Sequence, residues 1–123
     1  MCGIAGYIGS RKFSITEINK ILSIMARRGP DSNGYKLIKK RGQDINCFFS
    51  RLSILDNKKR SDQPYVYKDK VLIFNGEIYN YLEIQNLLKK NGYTFNTSSD
   101  TEVLIKSLDF WGEKAIKKFE GMW

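Results

Sequence analysis

The 123-residue sequence contains no histidine. That absence removes Ser-His-Asp and Cys-His nucleophilic machinery, histidine-ligated zinc and imidazole general bases together. Only two cysteines are present, Cys2 and Cys47, and they lack Cys-x-x-Cys spacing, so no metal or redox motif is read here. Two prolines and ten glycines are too few for a collagen-like or low-complexity chain. The longest unbroken apolar run, Val71-Leu72-Ile73-Phe74, is far short of the roughly 18–20 residues of a membrane helix. No repeat of about 20–50 residues recurs, which argues against a solenoid.

The composition is 41% hydrophobic and 28% charged, an ordinary mixture for one globular domain. Lys and Arg number 21 against 13 Asp and Glu, a formal charge of +8. The basic residues fall in short clusters, Lys39-Lys40-Arg41 and Lys58-Lys59-Arg60, without interleaved aromatics. This pattern reads as a solvated surface, with no nucleic-acid or membrane partner expected. Met1 runs directly into Cys2-Gly3-Ile4 with no basic n-region or apolar h-region. A reducing cytoplasm with both thiols free is the preferred reading, and a Cys2–Cys47 disulfide stays open as the alternative.

Element signals are mixed. Ile4 to Ile8, bounded by Gly3 and Gly9, reads as a buried strand. Ser14-Ile15-Thr16-Glu17 is a capping box, followed by Ile15, Ile18, Ile21, Leu22 and Met25 on one helical face. Gly29-Pro30 stops that helix, and Asp31 to Gly34 reads as a turn. Strand-like stretches at Tyr35 to Ile38 and Cys47 to Leu55 are joined by a polar Lys39–Asn46 connection. A further strand runs from Lys70 to Phe74. Helices open at Asn80, with Gly92 as C-cap, and at Ser99, and a shorter one passes through Ile116 and Phe119. The order predicts one layered α+β domain.

Four groups could carry chemistry. Once Met1 is removed, Cys2 places a thiol beside a free α-amine, whose ordinary pKa of about 7.7–8.0 suits a general base in a chain without histidine. Asn75-Gly76 after an apolar strand is a strong turn signal, and equally an oxyanion hole built from a side-chain amide and a glycine N–H. Arg51 lies within a strand-like stretch and needs a partner if buried; a ligand carboxylate held in a bidentate fork is one. Asp100 at a helix start is either a dipole partner or an acceptor for a ligand ammonium.

Five strings occur in a characteristic order: Met-Cys-Gly-Ile at 1–4, Arg-Gly-Pro-Asp at 28–31, Arg-Leu-Ser-Ile-Leu-Asp at 51–56, Asn-Gly-Glu-Ile-Tyr-Asn at 75–80 and Ser-Asp-Thr-Glu-Val at 99–103. With them the chain resembles the N-terminal glutaminase domain of the glutamine-hydrolysing asparagine synthase family, a class II glutamine amidotransferase of the N-terminal-nucleophile hydrolase fold. The resemblance implies an αββα four-layer sandwich. It implies that Cys2 is the nucleophile and its α-amine the base, and that Asn75 and Gly76 form the oxyanion hole. Arg51 would hold the α-carboxylate of L-glutamine, and Glu77 and Asp100 its α-ammonium. No metal or cofactor is expected in this domain. ATP and Mg are expected only in a synthetase domain that takes the ammonia to make asparagine from aspartate.

The family carries histidine where this sequence has Arg27 and Phe49. It also continues beyond the Gly-Met-aromatic string with further strands, so residues 1–123 are read as a C-terminally incomplete domain without its synthetase. Little turnover is expected of them alone. An amidotransferase of surface-polysaccharide synthesis and a non-catalytic remnant of the same fold are the alternatives.

Overall fold

The computed structural model describes residues 2–123. Strand β1 (Gly3–Gly9) and strand β2 (Ser32–Lys40) both pair antiparallel with β3 (Gln43–Arg51), giving the order β1-β3-β2. The β2–β3 connection is much tighter than the eight-residue loop expected. Arg41 and Gly42 turn the chain alone, with φ of 52° and 75°, the two left-handed residues that a primed hairpin turn requires. Pairing therefore extends to Lys40 opposite Gln43.

The two faces of this sheet have different neighbours. On one, Phe13 packs edge-on to Tyr7 and Phe48, and Phe48 also meets Tyr35. Helix α1 (Ile15–Met25) covers this face and starts at Ser14, whose capping box with Glu17 forms as expected. On the other face Phe49 is fully buried, and Gly34 lies directly under the Gln63 carbonyl. Ile4 and Ile8 share this second face and remain 49% and 64% exposed, so β1 is not the buried strand the sequence suggested. It is an edge strand, and its apolar side chains project away from α1.

The rest of the chain forms two ribbons and the second helical layer. β4 (Tyr65–Tyr67) pairs with β5 (Lys70–Leu72), and β6 (Glu77–Ile78) pairs with β7 (Gly121–Met122). Helix α2 (Tyr81–Lys90), helix α3 (Asp100–Trp111) and a 3₁₀ segment (Gly112–Lys118) pack together. Ile78, Ile84, Leu88, Val103, Leu104, Ala115 and Phe119 form their common core. Burial of each large member contributes about 1.5–3 kcal/mol before entropy is counted. The layers run α1, three-stranded sheet, ribbons, then α2 with α3, so the α+β class and its αββα order hold. Among the described residues no helix is long and apolar enough to cross a membrane.

Several boundaries differ from the sequence reading. β2 begins at Ser32 inside the expected turn, and β3 ends at Arg51 rather than Leu55. The Asn80 side chain does not cap α2; it donates to the Lys118 carbonyl and accepts from the Glu120 N–H, tying that helix start to the C-terminal segment. Asn91 is the C-cap of α2, with Gly92 one residue beyond at φ 87°. Ile116 is half-exposed, while Phe119 is buried.

Candidate active site

A cavity of about 300 Å³ opens between the sheet and α3. Its lining includes Cys2, Arg51, Asn75, Gly76, Glu77 and Asp100, so residues from both ends of the sequence share one space.

The sheet supplies the thiol and the arginine. Cys2 precedes β1 and is half-buried. Its Sγ accepts from the Leu52 N–H at 3.3 Å and faces the Leu52 carbonyl at 3.6 Å. Cys2 and Cys47 are both free thiols. The Arg28–Asp31 turn braces this corner. Arg28 Nε donates to the Cys2 carbonyl, Gly29 fits against the Ser50–Arg51 backbone, and Asp31 Oδ2 accepts from the Ser53 N–H at 2.6 Å.

Arg51 is 5% exposed and already has partners. Its Nη1 donates to Asp62 Oδ1 at 2.9 Å and the Lys58 carbonyl at 3.2 Å. Nη2 donates to the carbonyls of Leu55, at 3.0 Å, and Asp56. All four Nη hydrogens are thereby used, and Nε–H is the one guanidinium donor without a partner among the described residues. The bidentate Nη fork expected for a ligand carboxylate is turned inward, holding the loop that follows β3.

The other half supplies Asn75 to Glu77 and Asp100. A Cβ at Gly76 would lie 2.5 Å from the Met122 carbonyl oxygen and 2.6 Å from Trp123 Cβ, so only glycine fits that approach. β7 thus presses the Asn75–Ile78 segment toward the cavity. No hydrogen bond to another described residue occupies the Asn75 amide or the Glu77 carboxylate. Asp100, 6% exposed at the start of α3, accepts from the Ile78 N–H at 3.0 Å. Burial pushes its carboxyl above the usual aspartate range, with Glu77's charge adding to the rise and backbone N–H groups opposing it. The cavity wall therefore brings the acidic side chains of Glu77 and Asp100 close together.

Behind Asp100 sits a buried ion pair that the sequence reading left unassigned. Glu102 and Lys106, 1% and 5% exposed at their side chains, meet at 2.6 Å. Glu102 also accepts from the N–H groups of Asn96 and Thr97 and the Thr97 hydroxyl. Gln63, which lines the cavity, and Asp62, which holds Arg51, lie in no motif of the sequence. Among the described residues no group of three or more His, Cys, Asp or Glu is placed to hold a metal ion.

Within this α+β fold the Cys2 thiol, the Asn75 amide and the acidic side chains of Glu77 and Asp100 lie around one cavity. The chain belongs to the glutamine amidotransferase domain family, whose sequence model matches residues 1–123. It is 40% identical, over 99% of its length, to asparagine synthetase (glutamine-hydrolyzing) 1 of Bacillus subtilis strain 168. It is 35% identical over 99% of its length to asparagine synthetase (glutamine-hydrolyzing) 2 of Oryza sativa subsp. japonica. Against asparagine synthetase (glutamine-hydrolyzing) of Zea mays it is 33% identical, also over 99%. The chain spans 20% of the length of each of these relatives.

Proposed function

We propose that this cavity hydrolyses the side-chain amide of L-glutamine through Cys2. The observation that carries the reading is the convergence of Cys2, Asn75, Gly76, Glu77 and Asp100 on one cavity. Removal of Met1 frees the Cys2 α-amine, which takes the thiol proton directly or through one water. Sγ adds to the carboxamide carbon, and the Asn75 amide and Gly76 N–H hold the developing oxyanion. The C–N bond breaks, the protonated α-amine returns its proton to the leaving nitrogen, and ammonia departs. Water then adds to the thioester, regenerating the thiol and giving glutamate.

Glu77 and Asp100 hold the α-ammonium by charge. Arg51 meets the α-carboxylate through Nε–H, since its Nη groups hold the loop. The chain's own groups perform these steps without a cofactor. ATP and Mg belong to a synthetase domain that takes the ammonia, and asparagine formation from aspartate is the reaction the named relatives favour. The cytoplasm, with its reduced thiols, is the compartment this chemistry suits. Neither a nucleic acid nor a membrane is a partner in this reading.

Mass spectrometry checks the first requirement: the active chain begins at Cys2. Ammonia release from L-glutamine is expected from that species, slow but lost in Cys2→Ala. Equal release by Cys2→Ala would contradict the reading.

A further inference from the structure

Gln63 is 7% exposed, lines the cavity and makes three hydrogen bonds through its side-chain amide. Oε1 accepts from the Phe74 N–H at 2.6 Å, and Nε2 donates to the Phe74 carbonyl at 3.2 Å. The side chain thus imitates a neighbouring strand at the residue before Asn75. Regular pairing of β5 ends at Leu72 opposite Tyr65, and these two bonds hold Phe74 just beyond it. Nε2 also donates to Thr101 Oγ1 at 3.3 Å, next to Asp100. The Gln63 carbonyl, at the other end of the residue, lies over Gly34 on the three-stranded sheet.

We infer that Gln63 is a positioning residue that sets the oxyanion-hole segment Asn75–Gly76 against the ammonium-binding end of α3. The inference rests on the glutamine reading above for its catalytic consequence. Its structural half stands on the hydrogen bonds alone. A primary amide is the group the position requires, because it donates and accepts at once. Leucine of similar size offers neither. An ionised glutamate offers only acceptors and faces the Phe74 carbonyl with negative charge. A protonated glutamate restores one donor and one acceptor.

The test uses two readouts on the full chain. Hydrogen exchange of Gln63→Leu is expected to rise about tenfold or more at Phe74 to Glu77 and at Asp100 and Thr101, with the β1–β3 pairs unchanged. Cys2 alkylation by a glutamine analogue bearing a diazoketone in place of the amide reports the site. Gln63→Leu is expected to slow the maximal alkylation rate about tenfold or more while the half-saturating concentration changes less than about threefold. For Gln63→Glu, the alkylation rate relative to the unsubstituted chain is expected to rise as pH falls and the new carboxyl protonates.

Unchanged exchange at both segments, or a uniform rise that includes β1–β3, would overturn the inference whatever the alkylation data show. So would a pH-independent rate ratio for Gln63→Glu. If the unsubstituted chain is not alkylated at Cys2, the glutamine reading fails, and exchange alone decides whether Gln63 couples the two segments.

Discussion

Cys2, Arg51, Asn75, Gly76 and Asp100 were legible in the sequence as residues that could carry chemistry. Cys2 is a thiol beside a potential amine, and Arg51 is a cation inside an apolar stretch. What could not be read was who satisfies them. Arg51 spends its Nη hydrogens on three carbonyls and Asp62, partners set by the path of a loop rather than by a motif. Asp56 shows the same point. Its carboxylate accepts from the Ser98 N–H at 2.8 Å and from Arg60 at 3.0 Å, linking the Arg51 loop to the approach to Asp100. The Ser98 N–H is the largest of the influences that lower its pKa from 3.8 to about 2, with Arg60 and the Lys58 N–H assisting against burial. A carboxylate depressed in the folded state stabilises the fold above its unfolded pKa, and the benefit disappears as pH falls through the folded value. Asp56→Asn should therefore lower stability by about 1–3 kcal/mol at pH 7. The gap from the unsubstituted chain should close as pH falls from about 4 toward 2. Urea denaturation measures both; a gap independent of pH would contradict the assignment.

At the scale of elements, local signals served well where local bonds decide. The Ser14 capping box and the Ser99 start of α3 form as read, Ser99 accepting from the Thr101 N–H. They failed where a distant segment competes. Asn80 bonds to Lys118 and Glu120 instead of capping α2, and the Gln63 side chain holds the Phe74 backbone beyond the end of β5. Helix α3 adds a second kind of hidden partner. Lys106 pairs with Glu102 one turn back, donates to the Thr94 carbonyl and lies over the Phe95 and Tyr67 rings at 4.7 and 5.0 Å. Burial alone would raise the Glu102 pKa, but Lys106, Thr97 and Asn96 together hold it below the usual range. Lys106→Met should cost about 3–5 kcal/mol at neutral pH, because a buried carboxylate loses its cation. In that variant burial, the largest influence on Glu102, is opposed only by Thr97 and Asn96, so Glu102 is expected to bind its proton more tightly folded than unfolded and stability to recover as pH falls. Chemical denaturation at pH 7 and pH 5 checks the sign; a loss under about 1 kcal/mol, or one constant with pH, would contradict it.

At the scale of the molecule, two halves that each look unremarkable meet at the cavity. The sheet with α1 brings Cys2 and Arg51, and the ribbons with α2 and α3 bring Asn75, Gly76, Glu77 and Asp100. The α+β class was legible from the order of the signals: strand, helix, strands, then helices. The juxtaposition was not, since nothing in residues 51–100 alone announces that Asp100 returns to the thiol. Family strings in order supplied that link. Arg27 is exposed and Phe49 is buried on the sheet face toward Gln63, and neither lines the cavity. The proposed chemistry turns on Cys2 attacking the side-chain carbonyl of glutamine. The most direct measurement is intact-protein and peptide mass spectrometry of the Met1-free chain after treatment with the diazoketone analogue of glutamine. One adduct is expected, on Cys2, slowed in proportion to added L-glutamine and absent in Cys2→Ala while Cys47 stays unmodified. Labelling that L-glutamine does not slow, or that falls on Cys47 equally, would contradict it.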